Sequence, residues 1–197
     1  MGWTPPKDWT DGEIVTEENM DTHVKDNLTF LGDTHDHSGD SGDGAAVTRG
    51  IFVQAGAVYG AGATDRQLVG LWPETSLADG GDGYAIFVFR LPTYYTSVSK
   101  LVALLRAGVA GNEIYRHVDI SATAHNEAGS GTHAGTTLAG TVTMTASAIL
   151  EDDISSALHV DISAGDYISV TYRREGAHVD DNHAATCGLV GIYVEFK

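Results

Sequence analysis

The sequence predicts a mainly β fold: an antiparallel β-sandwich of the jelly-roll type, preceded by a short N-terminal helix and an extended arm. Three observations predict it. Several segments are rich in β-branched and aromatic residues and alternate apolar with polar positions, which is typical of strands. The 24 glycines among 197 residues indicate many tight turns. Only one segment shows the apolar spacing of a helix.

The predicted strands lie in the C-terminal three quarters of the chain. The closing run places Val190, Ile192, Val194 and Phe196 on one face, so we expect a terminal strand paired into a sheet. About eight such strands, separated by turns and not by helices, indicate a jelly roll or a related sandwich. The other predicted strands are Tyr84–Arg90, His117–Ile120, Thr141–Met144, His159–Ile162 and Tyr167–Tyr172.

The one predicted helix begins at Thr16, whose hydroxyl can cap its first turn. Its apolar residues follow at intervals of four, four and three, which places them on one helical face. A helix of this length is marginal by itself. We therefore expect the apolar face to pack on another element, or on the same helix of another subunit. The face consists of Met20, Val24, Leu28 and Leu31.

A polar segment separates the helix from the strands. Residues 32–44 contain no apolar side chain and are rich in Gly, Asp and Ser, which is typical of a linker. The sequence therefore predicts two parts. Residues 1–49 form an arm, the short helix and the linker, and residues 50–197 form the sandwich.

The charge of the chain excludes some partners. The formal net charge is -16, with 11 Lys and Arg against 27 Asp and Glu, so phosphate groups are repelled and we expect neither nucleic acid nor membrane as a partner. No apolar run approaches the roughly 20 residues that span a bilayer. The lone Cys187 cannot form a disulfide within the chain, so stability must come from burial and from oligomerisation.

Three stretches of the chain follow one another in a characteristic order: Trp9–Thr16 followed by His35–His37, then Phe87–Pro92, and finally Ala164–Val170 with the closing strand Val190–Phe196. In this order they resemble the small tail-fibre, head-fibre and decoration subunits of bacteriophage particles. Such subunits have an N-terminal attachment segment and a C-terminal jelly roll. The resemblance implies a non-enzymatic structural role on the tail or capsid surface of the virion, and assembly as a homotrimer.

The same resemblance implies that residues 1 to about 31 attach the subunit to other virion proteins. The first two tryptophans lie in a Pro-containing leader without periodicity, and large aromatic side chains are typical anchors in a partner's pocket. The predicted attachment residues are Trp3, Trp9, Met20, Val24, Leu28 and Leu31.

His35 and His37 flank one residue, so in an extended segment both side chains point to the same side. Two imidazoles can share a metal ion. Around a threefold axis, one pair per chain supplies six nitrogens, which suits an iron-like transition-metal ion on the axis. The alternative, which we favour, is a hydrated linker whose histidines contact water or carboxylates, because short motifs are weak signals.

Calcium is another candidate for the linker, because Asp33, Asp36, Asp40 and Asp43 carry the hard oxygen ligands that this ion prefers. The EF-hand pattern fails, since Val47 stands where a bidentate Glu is required. Acidic linkers usually stay hydrated. No cofactor is therefore certain from the sequence.

A receptor-binding module that recognises a host-surface glycan is the alternative function. Loops on a rigid sandwich commonly carry recognition, and one long loop is rich in polar residues. Nothing in its composition specifies a ligand. The candidate loop residues are His125, Asn126, Glu127 and His133.

An enzyme is not expected. Cys187 lies near His183 and Asp181, but its flanks look like the start of a strand, where a buried thiol behaves as a small hydrophobe. No nucleophile elbow, zinc-binding helix or phosphate loop occurs. We also expect Trp72 to pack in the core, and Arg173 with its neighbour Arg174 to offset nearby acids at an edge of the sandwich.

Overall fold

The computed structural model describes residues 11, 14, 16–21, 24, 48–69, 72–107, 109, 111–123, 133–145, 148–158 and 161–197. Contacts divide the chain into two units, residues 1–48 with Lys197 and residues 49–196. In the first unit, helix α1 is Glu17–Met20, and the Met20 N–H donates to the Thr16 carbonyl at 3.1 Å. The predicted helix therefore begins where expected. Its continuation to Leu31 lies mostly outside the described residues.

The second unit is a sandwich of two antiparallel sheets, as the sequence predicts. Sheet A contains β1 (Arg49–Val53), β3 (Ala63–Val69), β4 (Trp72–Leu77), β6 (Val98–Ala107), β10 (Ile149–Asp153) and β12 (Cys187–Phe196). Sheet B contains β2 (Ala57–Tyr59), β5 (Asp82–Arg90), β7 (Glu113–Thr123), β8 (His133–Ala134), β9 (Leu138–Thr143) and β11 (Tyr167–Glu175).

The connectivity is that of a jelly roll. Sheet A has the order β10-β6-β12-β4-β3, and β1 pairs with the second half of β12. Sheet B has the order β2-β5-β11-β7, and both β8 and β9 pair with the far edge of β7. From β4 to β12 the chain alternates between the sheets, except at the β7-to-β9 step, and the last strand lies between β4 and β6. This arrangement confirms the predicted fold class.

The core lies between the two sheets, and the alternation of each strand selects the side chains that fill it. In β5, β7 and β11 every second side chain is buried, for example Phe87, Val118 and Val170, which are all 0% exposed. Leu105 and Ile192 of sheet A are also fully buried. The intervening residues of β5, β7 and β11 therefore point outward and form the free face of sheet B.

One predicted strand differs from the structure in its described half. The sequence predicts that His159–Ile162 is extended; His159 and Val160 lie outside the described residues, Asp161 lies in a turn and Ile162 in a loop. At this point the chain crosses from β10 in sheet A to β11 in sheet B, so it must change direction. A second turn follows at Ala164–Gly165, where Gly165 has a φ of 86° and the Ser163 N–H donates to Asp166 at 2.8 Å.

A tight turn follows β4 and leads into β5. Asp79 and Gly80 lie in the turn, Gly80 has a φ of 77°, and β5 begins at Asp82. Phe87–Pro92, one of the stretches that carry the resemblance, covers the end of β5 and the start of the connection to β6. No helix among the described residues has the length and apolar character that crossing a bilayer requires.

Candidate functional site

The free face of sheet B carries a row of large polar and aromatic side chains. Tyr59 of β2 is directly opposite Tyr84 of β5, which is opposite Arg173 of β11, which is opposite His117 of β7. Opposed residues of an antiparallel pair lie on the same face, so these four side chains form one line across four strands. We call this surface, with Tyr115, Asp119 and Glu175 beside the line, the aromatic face.

One end of the aromatic face is a stacked tyrosine pair. The rings of Tyr59 and Tyr84 have centroids 5.5 Å apart and planes inclined by 23°. Tyr59 is 50% exposed, so the pair is open to solvent. The guanidinium carbon of Arg173 lies 5.5 Å from the Tyr84 centroid, and its Nη1 donates to the Tyr84 hydroxyl at 3.3 Å. This contact fixes the Tyr84 ring in place.

The centre of the aromatic face is a charged network. Arg173 forms an ion pair with Glu175. The imidazole of His117 lies between two carboxylates, with Nδ1 at 3.2 Å from Glu175 Oε1 and Nε2 at 3.2 Å from Asp119 Oδ2. The hydroxyl of Thr137 donates to Asp119 Oδ1 at 2.7 Å. Each of these polar side chains therefore has at least one hydrogen-bond or ion-pair partner on the face itself.

A second aromatic pair closes the other end. The rings of Tyr115 and His178 stack with centroids 3.6 Å apart and planes inclined by 11°. His178 belongs to the β11–β12 loop, residues 176–186. That loop is tied to the start of β7, because Asp181 Oδ2 accepts the Tyr115 N–H at 3.1 Å and Asn182 Oδ1 accepts the Glu113 N–H at 2.8 Å. The loop thereby positions His178.

Arg174, on the buried side of β11, holds the same loop through its hydrogen bonds. It is 0% exposed and lies on β11, which pairs on both sides, so the predicted position at a sandwich edge is wrong. The sequence shows charge but not which face of a strand is buried. Arg174 Nε and Nη2 donate to the two oxygens of Asp181 at 2.9 and 2.7 Å. The remaining three N–H groups donate to the carbonyls of Leu77, Ala185 and His183.

The ion pair changes the protonation of Asp181. Burial by itself raises the pKa of this carboxyl group. The hydrogen bonds from Arg174 and from the Tyr115 N–H outweigh burial and hold the pKa of Asp181 below its ordinary value. The carboxylate therefore stays charged inside the protein and keeps the loop attached to β11.

A second buried network crosses the core. Arg116 of sheet B donates through Nε to Asp152 of sheet A at 2.8 Å, and the Tyr172 hydroxyl donates to the same oxygen at 3.0 Å. Desolvation is the largest influence on Asp152 and raises its pKa despite these partners. Because its donors come from the opposite sheet, this network joins the sheets and offers no open surface to a ligand.

Cys187 has the environment of a structural residue. It opens β12 and is 0% exposed. Burial raises the pKa of the thiol to about 11, although the charge of Arg174 acts in the opposite direction. A thiol with this pKa is almost entirely protonated at neutral pH and is a poor nucleophile. The grouping of Cys187 with His183 and Asp181 in sequence therefore reflects packing around Arg174.

Most site residues predicted from the sequence lie outside the described residues. Met20 and Val24 are described and are 46% and 38% exposed. His133 was expected in an exposed loop, but it lies in β8, paired with Ala122 of β7, because the chain returns there to continue sheet B. The side chain of Trp72 is not described. The predicted residues outside the described part are Trp3, Trp9, Leu28, Leu31, His35, His37, His125, Asn126 and Glu127.

The aromatic face was missed by the sequence reasoning. The sequence nevertheless contains a signal for it, because buried and outward positions alternate along β7. The buried positions carry Ile114, Arg116 and Val118, and the outward positions carry Tyr115, His117 and Asp119. Across the part of the chain that the structure describes, no group of three or more His, Cys, Asp or Glu side chains has the arrangement of a metal site.

No protein-family model and no curated protein matches the sequence. Among solved structures, the chain is similar to the family 11 carbohydrate-binding module of the cellulosomal cellulase Lic26A-Cel5E of Clostridium thermocellum, with 14% identity and a TM-score of 0.38 over 77% of this chain and 89% of that module.

A family 61 carbohydrate-binding module in complex with β-1,4-galactotriose shows 12% identity and a TM-score of 0.35, covering 76% of this chain and 88% of the other. The family 11 module in complex with a β-1,3-1,4-mixed-linked tetrasaccharide shows 18% identity and a TM-score of 0.35, covering 79% and 92%. At such low similarity, the function of this chain must be argued from its own residues.

Proposed function

We propose that the sandwich is a non-catalytic carbohydrate-binding module, and that its aromatic face holds an uncharged oligosaccharide. One observation carries the proposal. Two stacked aromatic pairs, Tyr59 with Tyr84 and Tyr115 with His178, stand at either side of an ordered polar network on one face of sheet B.

The chemistry of a sugar matches this arrangement. One side of a pyranose ring presents C–H groups that pack on an aromatic ring, and its rim presents hydroxyl groups that donate and accept hydrogen bonds. The two aromatic pairs provide the surface for the C–H groups. The carboxylates of Glu175 and Asp119 can accept hydrogen bonds from sugar hydroxyl groups, and Arg173 can donate hydrogen bonds to sugar hydroxyl oxygens. Sites of this composition, apolar rings with a few fixed polar groups, are typical of small-ligand recognition.

The dimensions favour a chain of sugars over a single one. The row from Tyr59 to His117 crosses three strand-to-strand steps of about 4.8 Å each, or about 14 Å in all. A single ring covers only part of this length. We therefore expect an oligosaccharide that lies across the strands, with its sugar rings on the two aromatic pairs and its hydroxyl groups over the charged network.

The charges of the face favour an uncharged glycan. The one arginine of the row is already paired with Glu175. Asp119 and Glu175 add negative charge beside it, and the whole chain carries -16. Uronate or sulfate groups would be repelled by this field.

Attachment to a bacteriophage particle is a second proposal, in which the protein is a homotrimeric virion subunit that presents the sandwich to a host-surface glycan. The division of the chain between residues 48 and 49 supports a separate attachment segment. Mass measurement of the purified full chain should give a trimer. A stable monomer would contradict this assembly and the axial metal at His35 and His37.

The binding proposal is tested with a panel of neutral oligosaccharides, such as glucan, galactan, xylan and mannan fragments, measured by titration calorimetry beside a polyuronate. We expect at least one neutral oligosaccharide to bind and the polyuronate not to bind. Tyr84→Ala and Tyr115→Ala should each raise the Kd about fivefold or more, since an aromatic contact contributes about 1 kcal/mol.

The matched control is Phe52→Ala, because Phe52 is 45% exposed but lies on the free face of sheet A, opposite Tyr193. This variant should bind like the unaltered protein. Absence of binding to every neutral oligosaccharide, or loss of binding in the Phe52 variant alone, would contradict the proposal.

A further inference from the structure

His183 is a buried histidine with unusual surroundings. It lies in the β11–β12 loop, its side chain is 0% exposed, and neither ring nitrogen has a hydrogen-bond partner among the described residues. Buried polar groups are nearly always hydrogen-bonded, because a buried donor or acceptor without a partner has lost its hydrogen bonds to water. The loop therefore closes over a side chain that would be more stable in water.

A positive charge stands beside it. Arg174 donates to the main-chain carbonyl of His183, and the His183 N–H donates to the Glu113 carbonyl at 3.0 Å. Asp181 of the loop and Asp79 of the β4–β5 turn supply negative charge, but Arg174 already bonds to the first and lies 3.7 Å from the second.

The balance of these groups favours the neutral imidazole. Desolvation is the largest influence and lowers the pKa of His183, and the charge of Arg174 lowers it further. Asp181 and Asp79 offset only part of this effect. On β12, the titratable group near Arg174 is Cys187, whose raised pKa keeps it uncharged.

We propose that the β11–β12 loop is an acid-released latch of the aromatic face, with His183 as the group that takes up the proton. The claim that loop opening weakens carbohydrate binding rests on the proposed function. With the loop closed, His183 is buried and neutral. A proton binds it stably only in the open loop, since a second buried cation next to Arg174 is unfavourable.

Opening the loop breaks the contacts that form one end of the aromatic face. His178 leaves the ring of Tyr115, and Asp181 and Asn182 leave the N–H groups at the start of β7. The closed loop binds fewer protons than the open loop, so closure weakens as the pH falls below the free histidine value. With a free pKa of about 6.5, the open fraction should rise by up to about 30-fold between pH 7.5 and 5.0, the limit in which the closed loop takes up no proton.

The test is hydrogen exchange on the full chain without any ligand. The amides of Asn182 and His183 both donate to the Glu113 carbonyl and report loop closure. After correction for intrinsic exchange, their protection should fall by about tenfold to 30-fold between pH 7.5 and 5.0 in the unaltered protein. In His183→Leu and His183→Gln the decrease should be about threefold or less.

The control is His178→Gln, which removes another histidine of the same loop and should keep the full pH dependence. Constant protection in the unaltered protein, or an unchanged decrease in both His183 variants, would overturn the latch. The hydrogen-exchange experiment contains no carbohydrate, so its result does not depend on the proposed function. If the latch is present but no oligosaccharide binds, only the proposed function fails.

When an oligosaccharide from the panel binds, its affinity should fall on acidification more in the unaltered protein than in His183→Gln. His117 lies on the aromatic face itself, so His117→Gln separates an effect of the histidine on the face from opening of the loop. An equal pH dependence in the unaltered protein and in His183→Gln would show that the latch does not control binding.

Discussion

Replacing Arg174 with methionine is the sharpest test of the structural account. The side chain is 0% exposed, and all five of its N–H groups donate, two to Asp181 and three to main-chain carbonyls. Methionine has a similar length but no donors. The Arg174→Met variant therefore leaves the carboxylate of Asp181, which is also 0% exposed, without its counter-ion.

The expected loss is large. Removing one partner of a buried ion pair costs about 3–5 kcal/mol. For a domain of this size, 1 kcal/mol corresponds to a shift in Tm of about 2–4 °C, so the Tm should fall by roughly 10 °C. Differential scanning calorimetry or urea unfolding at pH 7 measures this directly.

The pH dependence of the loss has a defined sign. The pKa of Asp181 is lowered in the folded protein, so its stabilising contribution is present above the unfolded pKa of about 3.9 and is lost as the pH falls through the folded value. Without Arg174, burial dominates and raises this pKa. The difference between the two proteins should therefore shrink in acid.

Arg173→Met is the matched control, because Arg173 is the preceding residue of the same strand but faces outward, with a side chain 26% exposed. We expect it to lose less than about 1 kcal/mol. A double-mutant cycle of Arg174→Met with Asp181→Asn should give a coupling of about 2 kcal/mol or more. A loss below about 1 kcal/mol for Arg174→Met, or a loss equal to that of Arg173→Met, would refute the reasoning.

Two further predictions concern β12. Gly188→Ala places a methyl group against the carboxylate of Glu74, which Arg106 holds at 2.5 and 2.7 Å, so urea unfolding should show a loss of about 1–3 kcal/mol. Gly56→Ala, whose new methyl group meets only a carbonyl at 3.8 Å, should change stability little; equal losses would contradict the packing argument. Cys187 is buried, with a pKa of about 11, so a thiol reagent at pH 8 should label the denatured chain rapidly and the native chain very slowly, and fast native labelling would contradict its burial.

The sequence predicts the sandwich well because alternation reports burial directly. In the predicted strand Tyr167–Tyr172, every second residue, Ile168, Val170 and Tyr172, faces the core. The same alternation does not predict the turn at Asp161, because a local pattern does not show where the chain must cross between sheets.

The aromatic face could not be predicted in the same way. Tyr84, His117 and Arg173 are brought together only by the pairing of β5, β11 and β7, which depends on the order of the strands in the sheet. The burial of Arg174 could not be predicted from the sequence either, because a charged residue in a strand is usually exposed. Its partner Asp181 is seven residues away, but only the turn of the loop brings the two groups together.

The most direct test of the central claim is an NMR titration of the isotope-labelled protein with the strongest-binding oligosaccharide of the neutral panel. The account predicts chemical-shift changes that concentrate on the aromatic face, at Tyr59, Tyr84, Tyr115, His117 and Arg173. The free face of sheet A should stay unchanged. Shift changes that concentrate around Phe52 and Tyr193, or the absence of any saturable change, would contradict the claim that this face binds carbohydrate.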